Sequence, residues 1–278
     1  MPMHRAGNGD ALHLVNVAGR LAAAEGEEFH APGPGDFEFP PLFGEGTFFT
    51  KPMLVIVLGT LLIGLLFYVA SRRATLVPAK AQFAGESVYG FVRNGIVGDT
   101  IGRDGRKFVP YLTTLFCFIA VLNVSGIIPV LQLPATSKIA IPLFLALTSW
   151  VIFNYVGIRK HGFFGYFKAM MFPPGLPKLI YVLLAPLEFF STVIIRPITL
   201  TLRLTLNMFA GHLVLLLTVL GGEYLLVEKG GVLAVLSVVP FAFSIILTFF
   251  EAFVQVLQAY VFVLLSALYI AGALADEH

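Results

Sequence analysis

Residues 179–220 read LIYVLLAPLEFFSTVIIRPITLTLRLTLNMFAGHLVLLLTVL, an apolar run that few charges interrupt. Its formal charges are Glu188, Arg196 and Arg203, and its one histidine is His212. An arginine at hydrocarbon depth stays protonated and costs at least about 2.5–3.5 kcal/mol on insertion scales. Charges held at that depth usually belong to an ion path, a proton relay or a partner's counter-ion. The run therefore predicts a membrane helix with Arg203 at a functional site.

The composition places the whole chain among integral membrane proteins. Of its 278 residues, 58% are hydrophobic and 12% are charged, whereas about 25% charge is usual in soluble domains. The net charge of +2 is too small to indicate nucleic acid or an acidic substrate as a partner. The single cysteine, Cys117, lies in an apolar stretch, where we expect it to be a buried packing residue.

Apolar segments of membrane-spanning length recur along the chain. A helix needs about 20 apolar residues to cross the hydrocarbon. The pattern predicts an all-α integral membrane protein with about five crossings. The predicted spans cover residues 53–70, 108–128, 139–158, 179–220 and 232–274.

The last two apolar runs are each about twice as long as the hydrocarbon is thick. At 1.5 Å per residue each reaches roughly 60 Å, against a core of about 30 Å. We predict that they form a long, strongly tilted antiparallel hairpin over residues 179–274, within a membrane domain of residues 48–278. Residues 1–47 are rich in Gly, Pro and acidic residues, and we predict a polar tail outside the membrane.

Residues 79–101 have the pattern of an amphipathic helix rather than of a membrane span. Apolar residues recur there at helical spacing opposite polar ones, which suits a helix that lies in the membrane interface. The apolar stripe is Ala84, Val88, Phe91, Val92 and Ile96, and the polar stripe is Gln82, Glu86 and Arg93.

Basic residues between the spans predict the orientation of the chain. With five crossings, Arg72, Arg73 and Lys80 lie on the same side of the membrane as the basic loop of residues 159–178. The positive-inside rule then places the N-terminus outside and the C-terminus in the cytoplasm.

Polar residues of the two long runs fall at matching depths in an antiparallel hairpin. When two helices run antiparallel, the numbers of two residues at the same depth add up to a nearly constant value. This rule predicts that His212 and Glu251 lie at the same depth. The same rule places Arg203 level with Gln258, and Gln255 shares the helix face of Glu251 and Gln258. His212 and Glu251 can each carry a proton and can moderate the cost of burying the other. Since nine residues turn a helix through about 180°, we expect Arg203 and His212 to face different surroundings.

Structural roles are open for the same residues. Arg203 can form a structural ion pair or extend towards the headgroups, and His212 with Glu251 can be a static buried pair. Three other polar residues have such an alternative: Glu188 at headgroup level, and Asn123 and Asn207 as hydrogen-bonding links between helices.

Three stretches of the chain resemble the a subunits of F-type ATP synthases. They are the run RPITLTLRLTLNMFAGH at residues 196–212, the segment from LQAYVF at residues 257–262 to the end, and Asn123 with the IIP of residues 127–129. The likeness extends from about residue 48 to the C-terminus. It implies a proton-conducting stator subunit that is not an enzyme by itself and needs no cofactor or metal. The chain has no Gly-x-x-x-x-Gly-Lys loop, so ATP chemistry is expected on a partner.

The resemblance also implies roles for single residues. Arg203 matches the essential arginine that faces the rotor ring, and Gln258 matches the glutamine beside it. Many members have Glu at the position of His212 and His at that of Glu251, so the pair is exchanged here. Gly126 stands where some members carry Asp. The other residues expected on the proton path are Asn207, Gln255, Asn123 and Glu188, whose spacing to Pro197 is one residue longer than the family leads us to expect.

Two half-channels follow from these roles. Protons would enter from outside past His212, Glu251 and Asn207, protonate a carboxylate of the rotor, and leave near Glu188. The expected partners are the c-ring, a b-type peripheral-stalk subunit, the rest of the ATP synthase and the lipid of a bacterial inner membrane, with no nucleic acid.

The main alternative is a self-contained secondary transporter or channel with a buried Arg/His/Glu network. Such transporters often contain internal repeats, and the sequence shows no convincing one. An intramembrane enzyme is disfavoured because motifs such as His-Glu-x-x-His and Gly-x-Ser-x-Gly do not occur.

Overall fold

The computed structural model describes residues 50–72, 80–128, 135–171, 178–229 and 235–275, which are almost entirely helical. The predicted tail of residues 1–47 lies outside these ranges. The chain forms two compact units. The larger consists of Glu38–Leu215 and Ile245–His278, and the smaller of Met1–Phe37 and Leu216–Ser244.

Five helical stretches are long and apolar enough to cross a membrane, which confirms the predicted number. They are Pro52–Arg72, Gly102–Val124, Ala140–His161, Leu183–Val227 and Val238–Leu274. The second ends at Val124 and not at residue 128 as predicted, because the backbone turns there and the Gly126 amide donates to the Asn123 carbonyl.

Within the described ranges the helices have the following bounds. The α-helices are α1 (Lys51–Arg72), α2 (Lys80–Gly90), α3 (Val109–Val124), α4 (Ala140–His161), α5 (Phe163–Met171), α6 (Lys178–Phe190), α7 (Arg196–Tyr224) and α8 (Val238–Leu274). Three π-helices cover Phe91–Gly98, Ser191–Ile195 and Leu225–Lys229, and two 3₁₀-helices cover Gly102–Phe108 and Ala135–Ser137.

The amphipathic segment is helical, and its apolar stripe is unevenly buried. Val92 and Ile96 are fully buried, whereas Phe91 is 46% exposed. Gln82, predicted on the polar stripe, is buried, and its amide donates to the Glu86 carboxylate. The stripe breaks at Phe91 because the helix widens there from α to π, which changes the number of residues per turn.

The hydrophobic core of the larger unit joins α3, α4, α7 and α8 with the first π-helix. Leu112 of α3, Phe153 of α4, Leu204 of α7 and Phe262 of α8 all belong to one buried cluster. A buried polar link accompanies it. The Tyr111 hydroxyl and the Ser266 hydroxyl each hydrogen-bond the Ser149 hydroxyl, at 2.8 and 3.3 Å. These contacts hold the inner face of α8 against the rest of the unit.

Helix α5 folds back on α4. Gly162, with φ of 74°, ends α4 in a backbone conformation that favours glycine. The Tyr166 ring then packs on the backbone of Gly157, where a Cβ would lie 2.2 Å from the ring. The Tyr166 hydroxyl donates to Asn154 at 3.2 Å.

In the smaller unit the structure describes the end of α7 and the start of α8. A Cβ at Gly222 would lie 3.2 Å from the Phe241 ring, so this glycine allows the ring to approach the helix backbone closely. Apolar side chains such as Val227 and Val239 are exposed.

Candidate functional site

Helix α7 has one buried face and one uncovered face in the larger unit. Leu200, Leu204 and Met208 recur at four-residue spacing and are 1% exposed or less. Leu202 and Leu206 on the other side are 40% and 54% exposed. Helical periodicity therefore divides α7 into a face that packs in the core and an apolar face that no described residue of the larger unit covers.

Arg203 lies on the uncovered face of α7. Its side chain is exposed. In the part of the chain that the structure describes, its guanidinium has no ion-pair or hydrogen-bond partner. The alternative that Arg203 forms a structural ion pair within the chain therefore finds no support among the described residues.

The structure brings His212 and Glu251 together. His212 Nε2 lies 3.3 Å from Glu251 Oε1, with both side chains largely buried at 12% and 8% exposure. The contact is short enough for an ion pair but lacks the angle of a hydrogen bond, and within the described ranges Nε2 has no other partner. The carboxylate of Glu251 and the imidazole of His212 thus lie at the same level of two antiparallel helices, as the residue numbering predicts.

Two glycines border this pair. A Cβ at Gly211 would lie 2.9 Å from Glu251 Oε1, and a Cβ at Gly126 would lie 2.6 Å from His212 Nε2. Real Cβ atoms essentially never come closer than 3.0 Å to another heavy atom. The Glu251 carboxylate therefore occupies space that a side chain at residue 211 would fill, and the His212 imidazole occupies space that a side chain at residue 126 would fill.

Gln255 extends the pair along α8 and connects it to α3. Its side-chain amide donates to Glu251 Oε1 at 3.2 Å, and its backbone carbonyl accepts a hydrogen bond from Asn123 Nδ2 at 3.2 Å. Asn123 Oδ1 in turn accepts from the Thr136 hydroxyl at 2.9 Å. Asn123 is fully buried. In this structure Asn123 links α3 to α8 and to the 3₁₀-helix that contains Thr136.

Gln258 contacts Asn207 and not Arg203. Asn207 Nδ2 donates to Gln258 Oε1 at 2.7 Å. The residue-number sum placed Gln258 level with Arg203, but the observed partner lies one helical turn further along α7. Because Asn207 is exposed whereas Gln258 is buried, this hydrogen bond runs from the uncovered face of α7 towards the inner face of α8.

A cavity of about 270 Å³ lies between α7 and α8 at this level. Its polar lining consists of Asn207, Glu251, Gln255 and Gln258, and the rest is apolar or glycine. Gln255 Oε1 and Gln258 Nε2 are buried and have no hydrogen-bond partner among the described residues. The wall of this cavity is mostly apolar, and its four polar side chains are the groups there that can hydrogen-bond water.

A second polar cluster surrounds Arg196 at the start of α7. Its guanidinium lies 3.7 Å from the Glu188 carboxylate and 5.0 Å from the centre of the Tyr269 ring. Burial raises the pKa of Tyr166, outside the predicted spans, and the positive charge of Arg196 partly opposes this rise. Arg196 and His212 are 16 residues apart on one helix, or about 24 Å, and Arg203 lies between them.

Sequence reasoning missed several of these contacts. It did not select Thr136, and it named Arg196 as a charge without assigning it a partner. The π-helix of Ser191–Ile195 concealed the pairing of Glu188 with Arg196, because in a continuous α-helix the two residues point about 80° apart and lie about 12 Å apart along the axis. The opposite charges were the one available signal. The glycines could not be selected from sequence, since their role depends on which side chains face them.

Comparison with known proteins decides the family. A model of the family described as ATP synthase A chain matches residues 53–271. The chain belongs to this family. A protein called ATP synthase subunit a from a Nocardioides species is 47% identical over 276 residues, which covers 95% of this chain and 100% of the relative.

Other members show the same extent of similarity. The ATP synthase subunit a of a Parafrankia species is 45% identical over 94% of this chain and 89% of its own length. That of Streptomyces lividans is 42% identical over 91% of both. The resemblance drawn from residues 196–212 is therefore confirmed, and the chain is a membrane subunit of the ATP synthase family with several membrane-spanning helices.

Proposed function

We propose that this chain is the proton-conducting a subunit of an F-type ATP synthase. Protons pass through two offset half-channels to and from the carboxylates of a rotor c-ring, and their flow drives rotation and ATP synthesis. The relatives carry the name of a subunit, which favours a component of an assembly over a self-contained transporter. Catalysis of ATP formation then belongs to other subunits.

The observation that carries this proposal is the position of Arg203. Among the described residues it has no ion-pair or hydrogen-bond partner, and it lies on an exposed apolar face of α7. A charge in such a setting is costly unless a partner supplies the opposite charge. A ring of rotor subunits with one carboxylate each supplies that partner. The apolar residues around Arg203 suit a surface against which such a ring turns.

The two polar clusters suit the two half-channels. His212, Glu251 and Asn207 lie on one side of Arg203. Glu251 and Asn207 line the cavity of about 270 Å³, and His212 contacts Glu251. Glu188 and Arg196 lie on the other side. A proton that enters past His212 and Glu251 neutralises a rotor carboxylate, which then crosses lipid at low cost, whereas the ionised form cannot. After nearly a full turn the proton leaves near Glu188.

Arg203 separates the two paths. Its fixed charge favours ionisation of an arriving rotor carboxyl and so promotes proton release. The same charge repels protons, which prevents direct passage between the half-channels. Each proton that crosses 100 mV delivers about 2.3 kcal/mol, so several protons per turn supply useful work.

Membrane orientation and partners complete the proposal. By the positive-inside rule, the basic residues favour an N-terminus outside and a C-terminus in the cytoplasm, in a bacterial inner membrane. Besides the c-ring, a b-type peripheral-stalk subunit is the expected neighbour within the complex.

Replacement of Arg203 tests the proposed function. In membrane vesicles with the assembled complex, Arg203→Ala is expected to reduce gradient-driven ATP synthesis about 100-fold or more, the scale of removing a preorganised charge at a transfer site. Passive proton leak should persist or increase after the peripheral catalytic sector is removed, because the two half-channels are no longer separated. ATP synthesis and fluorescence-monitored leak are the two measurements.

Arg93→Ala is the matched control, because Arg93 is an exposed cation outside the hairpin. It should leave both synthesis and leak unchanged. Normal synthesis in assembled Arg203→Ala complexes would contradict the proposed mechanism.

A further inference from the structure

Arg196 and Arg203 belong to the same side of α7. Seven residues separate them, a step of about 700° that returns to within about 20° of the starting direction and advances about 10 Å along the axis. Both guanidinium groups stay protonated at any accessible pH. The side of α7 that carries Arg203 therefore has a second permanent cation two helical turns away.

The surroundings of the two arginines differ. Arg196 is partly buried, and its guanidinium lies 3.7 Å from the Glu188 carboxylate and 5.0 Å from the centre of the Tyr269 ring. Arg203 is exposed, and within the described ranges it has no comparable partner. Arg196 is thus the paired cation of this side of α7, and Arg203 is the open one.

The groups around Arg196 are fixed by the rest of the larger unit. The Tyr269 ring packs on the fully buried ring of Phe153 in α4, with the two ring centres 5.6 Å apart. Glu188 comes from α6 and reaches Arg196 through the π-turn between α6 and α7. A carboxylate from one helix and an aromatic face from another thus meet at one guanidinium.

A second open arginine on this side of α7 would compete with Arg203 for the rotor. An ionised rotor carboxylate is costly in lipid, and a guanidinium binds a carboxylate strongly. In the strongly tilted hairpin predicted from the sequence, a step along α7 is also a step along the path of the rotor carboxylates. An open cation about 10 Å from Arg203 would therefore hold a carboxylate in place and slow the rotor.

We infer that Glu188 and Tyr269 sequester Arg196, so that Arg203 is the cation that the described part of α7 leaves open to a rotor carboxylate. Glu188 neutralises the charge of Arg196, and the Tyr269 ring holds the guanidinium towards α8 through a cation–π contact. Both act as positioning residues. The inference rests on the proposed function, because it takes the Arg203 side of α7 to meet a ring of carboxylates.

Substitutions of the ion pair test the inference through ATP-driven proton pumping per assembled complex in vesicles. Glu188→Gln is expected to lower pumping about tenfold, within the range for directly interacting residues, because it leaves Arg196 open. Arg196→Gln should lower it about threefold or less, since a lone carboxyl can take up a proton whereas a lone guanidinium cannot release one. The double variant Glu188→Gln/Arg196→Gln should therefore pump at least about threefold faster than Glu188→Gln.

Substitutions of Tyr269 test the aromatic contact separately. Tyr269→Leu is expected to lower pumping about threefold, the scale of a cation–π interaction, because Arg196 is then held by Glu188 alone. Tyr269→Leu/Arg196→Gln should pump no more slowly than Arg196→Gln, since the cation that the ring holds is gone. Tyr269→Phe keeps the ring face and should pump faster than Tyr269→Leu.

Asp104→Asn is the matched control, because it removes an exposed carboxylate outside the hairpin. It should pump as the wild type does. If Glu188→Gln does not assemble on a native gel, the Tyr269→Leu variants decide the matter, since they leave the ion pair of Glu188 and Arg196 in place.

The outcomes separate this inference from the proposed function. Normal pumping by Arg203→Ala would overturn the proposed function and the inference with it. Impaired Arg203→Ala, together with a double variant that pumps no faster than Glu188→Gln, would overturn the inference alone and assign Glu188 to proton transfer. Wild-type pumping by Glu188→Gln would also overturn the inference, because an open Arg196 would then be harmless to the rotor.

Discussion

Asn123 shows how a single buried amide serves the fold beside the proposed proton path. Its side chain is fully buried. It donates to a backbone carbonyl of α8 and accepts from Thr136. Of the two interpretations that the sequence left open, these bonds favour the helix-linking one. A buried group that loses such a partner costs about 1–3 kcal/mol.

Replacement of Asn123 should therefore reduce stability more than proton conduction. We expect Asn123→Ala to lower the free energy of unfolding by about 1–3 kcal/mol, because the Gln255 carbonyl and the Thr136 hydroxyl lose their partner. The measurement is the thermal stability of the purified complex, together with pumping per assembled complex.

Thr136→Val is the matched variant, since it removes only the donor to Asn123 and should have a smaller effect in the same direction. Lost pumping with unchanged stability in Asn123→Ala would instead assign Asn123 to the proton path.

The π-helix of Ser191–Ile195 is an element that sequence periodicity did not predict. In a continuous α-helix the eight residues from Glu188 to Arg196 turn through about 800°, which leaves the two side chains about 80° apart. A π-turn absorbs one extra residue, and the two side chains come within 3.7 Å. The π-turn thus brings Glu188 onto the helix face of Arg196.

Deletion of one residue within this π-helix should be tolerated. Without Val193 the segment can continue as an α-helix, and a seven-residue step of about 700° still places Glu188 on the face of Arg196. ATP-driven pumping is expected to stay near the wild-type rate in assembled complexes.

Deletion of Thr199 is the control, because this exposed residue lies between Arg196 and Arg203 in regular α-helix. Its loss rotates Arg203 by about 100° relative to Arg196 and should abolish pumping. Equal loss in both deletion variants would contradict the role of the π-helix.

At the scale of the whole molecule, apolar side chains on α7 and α1 are exposed on the surface. Leu206 on α7 is 54% exposed and Leu61 on α1 is 63% exposed. In the proposed assembly these two surfaces differ, because the α7 face with Arg203 lies against the rotor ring. The single native cysteine, Cys117, is buried and adds little background to thiol labelling.

Labelling of introduced cysteines distinguishes the two surfaces. Leu206→Cys should react slowly with N-ethylmaleimide in the detergent-solubilised complex and faster once the rotor ring is dissociated, because the ring shields the α7 face. The measurement is the rate of labelling by mass spectrometry.

Leu61→Cys is the control and should react at the same rate in both preparations. Equal reactivity of Leu206→Cys with and without the ring would place the rotor against another face of the chain.

The amino-acid sequence by itself determined the number of spans and the level at which His212 meets Glu251. These properties depend on hydrocarbon thickness and on the rise per residue, both of which can be counted along a chain. Only the tertiary structure decided that Gln258 bonds Asn207 and that Glu188 pairs with Arg196. Such contacts depend on helix phase, where one residue is about 100°, and a π-turn or a crossing angle changes that phase without a periodic signal. The fit of Gly126 to the His212 imidazole likewise depends on which side chains packing brings to within 3 Å of a backbone atom.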